Sequence, residues 1–227
     1  MIRNEPQAHP CPAALPAVPH QSAVPDAETL PPAVRDLRGR PALPPPTFPA
    51  GDRVVVSGLP GSGKSTLIRA LLHHLGGTAL SADSQDVRER WDRRMPHWLP
   101  YALYRPAVRM DHYRRLRRAL AGGAGVVVHD CGNLPWVRRW LARDARRRGV
   151  RLHLVVLDVP VDVALAGQAE RGRTVSPFAF ARHRRATARL LTDLAAGRLP
   201  AACDTALLVD RAYTRALRGT APGASGR

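Results

Sequence analysis

The residues with the clearest chemical potential form a glycine-rich run in the first third of the chain. The run is Gly58-Leu59-Pro60-Gly61-Ser62-Gly63-Lys64-Ser65-Thr66. It fits the pattern G-x-x-x-x-G-K-[ST] at every fixed position. Its glycines let backbone N–H groups turn inward around an anion, and the amino terminus of a following helix adds partial positive charge. The run therefore predicts a cradle for the phosphates of a nucleoside triphosphate.

Two side chains of this run have predicted contacts of their own. The Lys64 ammonium would reach the β and γ oxygens of the nucleotide, and the Ser65 hydroxyl would ligate Mg²⁺. The chain has 35 Lys and Arg residues, and Lys64 is its one lysine. The single lysine lies at the position where the motif requires an ammonium group, which suggests that this group has a chemical role there. We expect ATP with Mg²⁺ as the ligand; a glycine-rich turn that binds no nucleotide is the alternative.

The elements that would position this run follow from apolar patterning. A β-branched strand is predicted at 53–57 before the run, and a helix at 64–75 after it. Further short strands are predicted at 78–81, 125–130, 152–157 and 205–209, with helices between them. This alternation predicts an α/β fold, with a parallel sheet of about five strands flanked by helices. Ligands of such sheets bind beyond the carboxyl ends of the strands.

The first 50 residues have a different composition. They hold 13 of the 22 prolines, carry no net charge and show no sustained helix or strand period. We predict a Pro-rich disordered tail over 1–50, a globular domain over 51–218 and a second disordered tail over 219–227. The first tail is either a solvated extension or an arm that docks a partner.

Charge and cysteine content limit the setting of the protein. The net charge of +17 comes entirely from residues 51–227, which would attract phosphate-bearing partners, although arginine on solvated faces gives the same total. No apolar run reaches the ~18 residues of a membrane helix, so we expect no membrane insertion.

The cysteines, Cys11, Cys131 and Cys203, are far apart and odd in number. This fits a reducing compartment, and we expect a cytoplasmic protein.

Several classes of nucleotide-binding protein are excluded by missing features. A GTPase would need an Asn-Lys-x-Asp element, and the chain has no second lysine. A transporter ATPase would need a Ser-Gly-Gly-Gln-type signature, which is absent. A ring-forming ATPase would usually need a second helical domain, for which too little chain follows residue 200.

The chain resembles the small P-loop kinases of the AAA-type ATP-binding family. This group contains gluconate kinase, chloramphenicol phosphotransferase, zeta toxins and the kinase domain of polynucleotide kinases. The resemblance covers about residues 53–210 and rests mainly on the glycine-rich run. It implies the P-loop NTPase fold and an ATP-dependent phosphotransferase or ATPase.

The resemblance also implies a catalytic carboxylate. Asp83 follows the second predicted strand, where an aspartate of the resembled kinases accepts the proton of the substrate hydroxyl. Asp86 is the rival candidate, and a helix N-cap is the alternative role for Asp83. Arg88 would hold an anionic group of the substrate, unless it lies on a solvated helix face.

The remaining implied residues concern the metal and the transferring phosphate. Asp130 ends the third strand and would hold Mg²⁺ through water or contact the substrate, with a loop cap as the alternative. Arg171 and Arg173 lie where the resembled kinases have a mobile lid whose guanidinium groups stabilise the transferring phosphoryl group. Arg182 and Arg185, on the next predicted helix, would join them, although surface charge explains any single arginine equally well.

Residues 91–113 form the predicted acceptor region. They contain five of the eight Trp and Tyr residues, interleaved with arginines that include Arg105. These aromatics are Trp91, Trp98, Tyr101, Tyr104 and Tyr113. Together the two residue types would stack a base and grip phosphate, or the aromatics would pack in the core.

Three functional hypotheses follow, in this order. The first is a kinase that transfers the ATP γ-phosphoryl group to a hydroxyl of a small-molecule acceptor. The second is a nucleic-acid end kinase that uses the same centre, for which the positive charge predicts salt-dependent binding. The third is a non-catalytic nucleotide switch or slow ATPase.

Overall fold

Strands and helices alternate along nearly the whole of the described chain. The computed structural model describes residues 33–77, 79–129, 135–170, 175–200 and 202–219, which fall in one compact unit. The elements are β1 (Val34–Asp36), β2 (Arg53–Gly58), α1 (Lys64–His74), β3 (Ala79–Ala82), α2 (Ser84–Asp92), α3 (Tyr101–Ala121), β4 (Gly125–His129), α4 (Pro135–Arg148), β5 (Leu152–Leu157), α5 (Val161–Ala169), α6 (Pro177–Ala195), β6 (Thr205–Val209) and α7 (Arg211–Gly219).

The strands of the described residues form one parallel sheet in the order β1-β6-β5-β2-β4-β3. Strand β2 lies inside it, with Val55 opposite Val128 of β4 on one side and Leu154 of β5 on the other. Because parallel strands all end at the same edge, the glycine-rich run after β2 leaves the sheet near the middle of its carboxyl edge.

The core lies on both faces of this sheet. Val54 and Val56 of β2 pack on one face with α1, whereas Val55 packs on the other face with α3, α4 and α6. Successive side chains of a strand point to opposite faces, so a strand covered on both sides is apolar throughout. The buried β-branched run of β2 therefore holds the loop that follows it on a rigid base.

The predicted fold class is confirmed, and each of the five predicted strands is present. Helix α3 begins at Tyr101 and contains Pro106 in its interior. Proline removes one helical N–H, but burial of Leu116 and Leu120 farther along keeps α3 on the sheet. None of the helices in the described ranges combines the length and the apolar character needed to span a bilayer.

The predicted disordered tail over 1–50 is wrong for residues 33–50. Val34–Asp36 forms an edge strand, β1, which pairs in parallel with β6, and Leu37 is buried in the core at 2% exposure. The strand has only three residues, so it leaves no periodic signal among the surrounding prolines. The domain therefore begins before residue 51, and the predicted tails at 1–32 and 220–227 lie outside the described residues.

Polar contacts fix this segment beyond the strand. The Arg38 guanidinium donates to the Asp158 carboxylate at 2.7 Å, and the Gly39 N–H donates to Asp210 at 2.7 Å. The Tyr213 hydroxyl donates to the carbonyl oxygen of Pro44 at 3.0 Å. A proline-rich segment can thus be ordered by a few polar contacts of its side chains and backbone and by one buried leucine.

Leu37→Ala tests whether this segment belongs to the folded domain. Loss of a core leucine typically costs about 2–5 kcal/mol of unfolding free energy. We expect urea denaturation to show a loss in that range, whereas Leu43→Ala, at a side chain that is 37% exposed, should stay within about 0.5 kcal/mol. Equal stability of Leu37→Ala and the unmodified chain would contradict the packing of this segment.

Candidate active site

The glycine-rich run turns directly from the central strand into a helix. Strand β2 ends at Gly58 and α1 begins at Lys64, with Gly63 as the N-cap in a left-handed conformation (φ 105°). No side chain caps this terminus, and the first turn of α1 contains no acidic residue. The amino end of α1 is therefore suited to an external anion, because its backbone dipoles are not matched by a carboxylate of the helix itself.

The Lys64 side chain lies over the loop that precedes it. Its Nζ donates to the carbonyl oxygens of Gly58 at 3.0 Å and Leu59 at 2.7 Å, and the residue is only 7% exposed. These contacts hold the ammonium beside the loop, where it would meet the phosphates of a bound nucleotide.

Helix α5 packs directly against the loop backbone. A Cβ atom added at Gly167 of α5 would lie 2.5 Å from the carbonyl oxygen of Gly61, and one added at Gly61 would clash with the carbonyl oxygen of Ala164. Gly61 also has a φ of +85°, a conformation that favours glycine. The two glycines therefore let the loop and α5 approach more closely than any side chain permits.

Gln168 strengthens the same contact. Its Nε2 donates to the carbonyl oxygen of Pro60 at 3.2 Å, and its Oε1 accepts from the Val175 N–H at 3.0 Å. At 6% exposure it is a buried amide with partners on both sides. Gln168 thus connects the phosphate loop to the backbone that leads into α6.

A cleft of about 320 Å³ opens beside the loop. One side of it consists of loop and α1 residues that include Lys64 and Ser65, and the other sides come from α2, α3, α5, α6 and the end of β4. The charged, histidine and tyrosine side chains on those other sides are Arg88, Tyr101, Arg105, Arg109, His112, Tyr113, His129, Arg182 and His183. The predicted phosphate-binding residues and several predicted acceptor residues thus share one cavity.

Both predicted acceptor arginines line this cleft. Arg88 is held in place by its own neighbours, since its Nε lies 3.5 Å from an Asp92 oxygen and its Cζ lies 3.9 Å from the centre of the Tyr101 ring. Arg105 is exposed at the cleft wall. Arg182 also lines it, whereas Arg185 is an exposed residue of α6 outside the described lining.

Asp83 lies at the carboxyl end of β3 and is buried at 6% exposure. Beside it, Ser84 and His129 line the cleft and share a hydrogen bond of 3.0 Å between Oγ and Nδ1. Burial, together with the charge of Lys64, lowers the pKa of His129 to about 3, and the negative charge of Asp83 opposes that shift. The imidazole is therefore neutral near pH 7. Asp83 lies close enough to His129 for its charge to influence the pKa of the imidazole.

The charge of Asp83 also influences the pKa values of His112 and Asp86. Burial lowers the pKa of His112, and Asp83 again opposes the shift. Partial burial and the neighbouring Asp83 carboxylate raise the pKa of Asp86, the rival candidate base. Neither carboxylate is among the residues that line the cleft. Asp83 is buried directly before the lining residue Ser84, whereas Asp86 is exposed.

Three predicted site residues fall outside the described part of the chain. They are Asp130, expected to bind Mg²⁺, and the expected lid residues Arg171 and Arg173. Their roles stay predictions. The described residues next to them, His129 and Val175, both line the cleft.

The aromatic residues of the acceptor region divide between two roles. Trp91 donates to Asp111 of α3 at 3.2 Å, and Tyr104 donates to Asp92 of α2 at 2.7 Å, so both tie α2 to α3. Tyr101 and Tyr113 line the cleft instead, and Trp98 is 79% exposed.

Sequence reasoning missed Gly167, Gln168 and His183, whereas Arg109 was among the arginines of the predicted acceptor region. Arg109 stands one helical turn after Arg105, a spacing that places both on one face of α3. The three missed residues come from α5 and α6, and their approach to the loop is a long-range contact with no local signature. A glycine inside a helix, as at position 167, was the one available hint.

The central parallel strand, the loop and the following helix define a P-loop protein. More particularly, the chain belongs to the family described as an AAA domain, which matches residues 54–215. No curated protein sequence matches the chain.

Several solved structures are similar to this chain. A chain of the PezAT toxin–antitoxin system of Streptococcus pneumoniae is 14% identical, with a TM-score of 0.52 over 78% of this chain and 80% of that one. A proposed kinase of Chloroflexus aurantiacus is 18% identical (TM-score 0.46, 72% and 87% covered). A gluconokinase of Sinorhizobium meliloti is 20% identical (TM-score 0.40, 75% and 94% covered). The first of these similarities shows the fold.

Gly167→Ala tests the close contact between α5 and the phosphate loop. The added methyl group would push against the Gly61 carbonyl, and overpacking of this kind costs about 1–3 kcal/mol. We expect a lower thermal midpoint and about tenfold weaker binding of ATP with Mg²⁺, measured by calorimetry. Gly122→Ala is the matched control, because its Cβ would meet ordinary contacts at 3.6 Å. Equal affinity of both variants would show that the loop does not depend on this contact.

Proposed function

We propose that this protein is an ATP-dependent kinase that transfers the γ-phosphoryl group to a hydroxyl of a small-molecule acceptor. The observation that carries the proposal is the single cleft lined by the phosphate loop on one side and by arginines and tyrosines on the other. A nucleotide switch needs only the first side. The second side gives room for an acceptor beside the triphosphate, as phosphoryl transfer requires.

The nucleotide would bind with its phosphates in the loop. Lys64 and the amino end of α1 would contact the β and γ oxygens, and Ser65 would ligate Mg²⁺. Mg²⁺ keeps several waters and uses few protein ligands beside substrate phosphates, so one hydroxyl on the cleft wall fits it. When bound, the metal neutralises charge on the phosphates. Asp130 would complete its protein ligands.

The proposed chemistry is an in-line transfer. The acceptor hydroxyl oxygen forms a bond to the γ-phosphorus, the bond from that phosphorus to the β–γ bridging oxygen breaks, and ADP leaves. Asp83 accepts the hydroxyl proton. Arg182, on the cleft wall, and the lid residues Arg171 and Arg173 would stabilise the charge on the transferring group.

A nucleic-acid end kinase is the second candidate. The observation that favours it is a run of exposed arginines on α4: Arg139, Arg143, Arg146, Arg147 and Arg148. Such a face would bind a phosphate backbone with steep dependence on salt. Fluorescence anisotropy with a labelled single-stranded oligonucleotide tests it, and binding that is absent or insensitive to salt would remove this candidate.

The Asp83→Ala variant, compared with Lys64→Ala, tests the kinase proposal. A screen of metabolites with γ-labelled ATP would identify an acceptor, with Lys64→Ala as the blank. We expect Asp83→Ala to bind ATP normally and to lose transfer by about 10²–10⁴-fold, the contribution of a positioned base. Lys64→Ala should lose both binding and transfer.

Unchanged transfer by Asp83→Ala would remove this residue as the base. Rapid ATP hydrolysis that no acceptor stimulates would instead contradict the kinase assignment and leave an ATPase.

A further inference from the structure

Helix α3 presents two neighbouring rows of side chains to the acceptor side of the molecule. Residues four apart on a helix lie one above the other, so each row follows the helix axis. The rows are Ala102, Pro106 and Met110, and Arg105, Arg109 and Tyr113. The first row is entirely apolar, whereas the second carries two cations and ends in an aromatic ring.

Both rows line a groove of about 750 Å³ against Trp136 of α4, here called the α3–α4 groove. Met110 is 54% exposed and Trp136 is 45% exposed, so large apolar side chains face open space here. The Tyr113 ring stands edge-on to Trp136, with centroids 4.9 Å apart. This pairing gives the groove a preformed aromatic end.

The α3–α4 groove and the cleft of the phosphate loop share part of their lining. Arg105, Arg109 and Tyr113 line both cavities. The second row of α3 is therefore the boundary between a polar compartment beside the loop and an apolar compartment beyond it. A molecule that crosses this boundary would pass two guanidinium groups.

We propose that the α3–α4 groove is a second compartment of the acceptor site. It takes an apolar ring or chain of the acceptor, while an anionic group of the same molecule pairs with Arg105 and Arg109. The reacting hydroxyl then points toward the loop. This proposal rests on the kinase function proposed above and specifies an acceptor that is both anionic and partly apolar.

Two dyes test the groove without nucleotide or turnover. 1-Anilinonaphthalene-8-sulfonate and N-phenyl-1-naphthylamine share one ring system, and only the first carries an anionic sulfonate. Fluorescence titration of the full chain should show binding of both dyes. The sulfonate dye should bind about tenfold tighter, because it adds charge-assisted contacts with the two arginines.

Groove variants place a carboxylate in the apolar compartment. Ala102→Glu and Met110→Glu, both at exposed positions, should weaken the binding of both dyes by about tenfold or more. A bound dye would remove water from the new carboxylate, which is unfavourable. Leu103→Glu is the matched control. It lies on the same helix at 69% exposure, outside the groove lining, and should leave both dissociation constants unchanged.

The arginine row is tested by the double variant Arg105→Gln, Arg109→Gln. It should remove the preference for the sulfonate dye and keep binding of the neutral dye. The control Arg114→Gln, Arg117→Gln makes the same charge change at exposed positions of α3 and should keep the preference.

Equal effects of the Leu103→Glu and Met110→Glu variants would overturn the proposal, as would a sulfonate preference that survives loss of Arg105 and Arg109. Because the titrations need no ATP, they test whether the groove binds an anionic and partly apolar ligand even if the screen finds no acceptor. Where an acceptor is found, Met110→Glu should raise its KM and leave the KM for ATP unchanged. A KM for the acceptor that does not rise would also contradict the proposal.

Discussion

The close approach of α5 to the backbone of the phosphate loop is the contact on which the candidate site depends. The loop leaves the central strand at Gly58, and the carbonyl side of Gly61 is pressed against α5 at Gly167. A loop whose carbonyls are held on one side can present its N–H groups on the other, toward an anion. The glycines are thus required by space as well as by torsion angle.

The same contact connects the loop to the backbone that precedes α6. Gln168 lies next to Gly167, and its amide reaches both Pro60 of the loop and Val175 beyond α5. A shift of Val175 would therefore act on the loop through one buried side chain. On the opposite wall, α3 is a long helix fixed to the sheet by Leu116 and Leu120, so its first turns can carry residues that line the cleft.

The features that could be predicted from the sequence are those that residues close together in the chain encode. The phosphate loop is a contiguous motif, and strands such as Val54–Val56 are buried on both faces, which makes them apolar runs. The ordered segment around Leu37 was missed because three strand residues among prolines give no period. Gly167, Gln168 and His183 were missed because their roles come from packing between elements more than a hundred residues from the loop or across the cleft.

Calorimetric titration of the folded chain with ATP and Mg²⁺ tests the central claim most directly. The account predicts a saturable heat at one site for the unmodified protein, and none for Lys64→Ala, whose circular dichroism spectrum should show that it is still folded. A well-folded protein that gives no heat with ATP or with any other nucleoside triphosphate would contradict it.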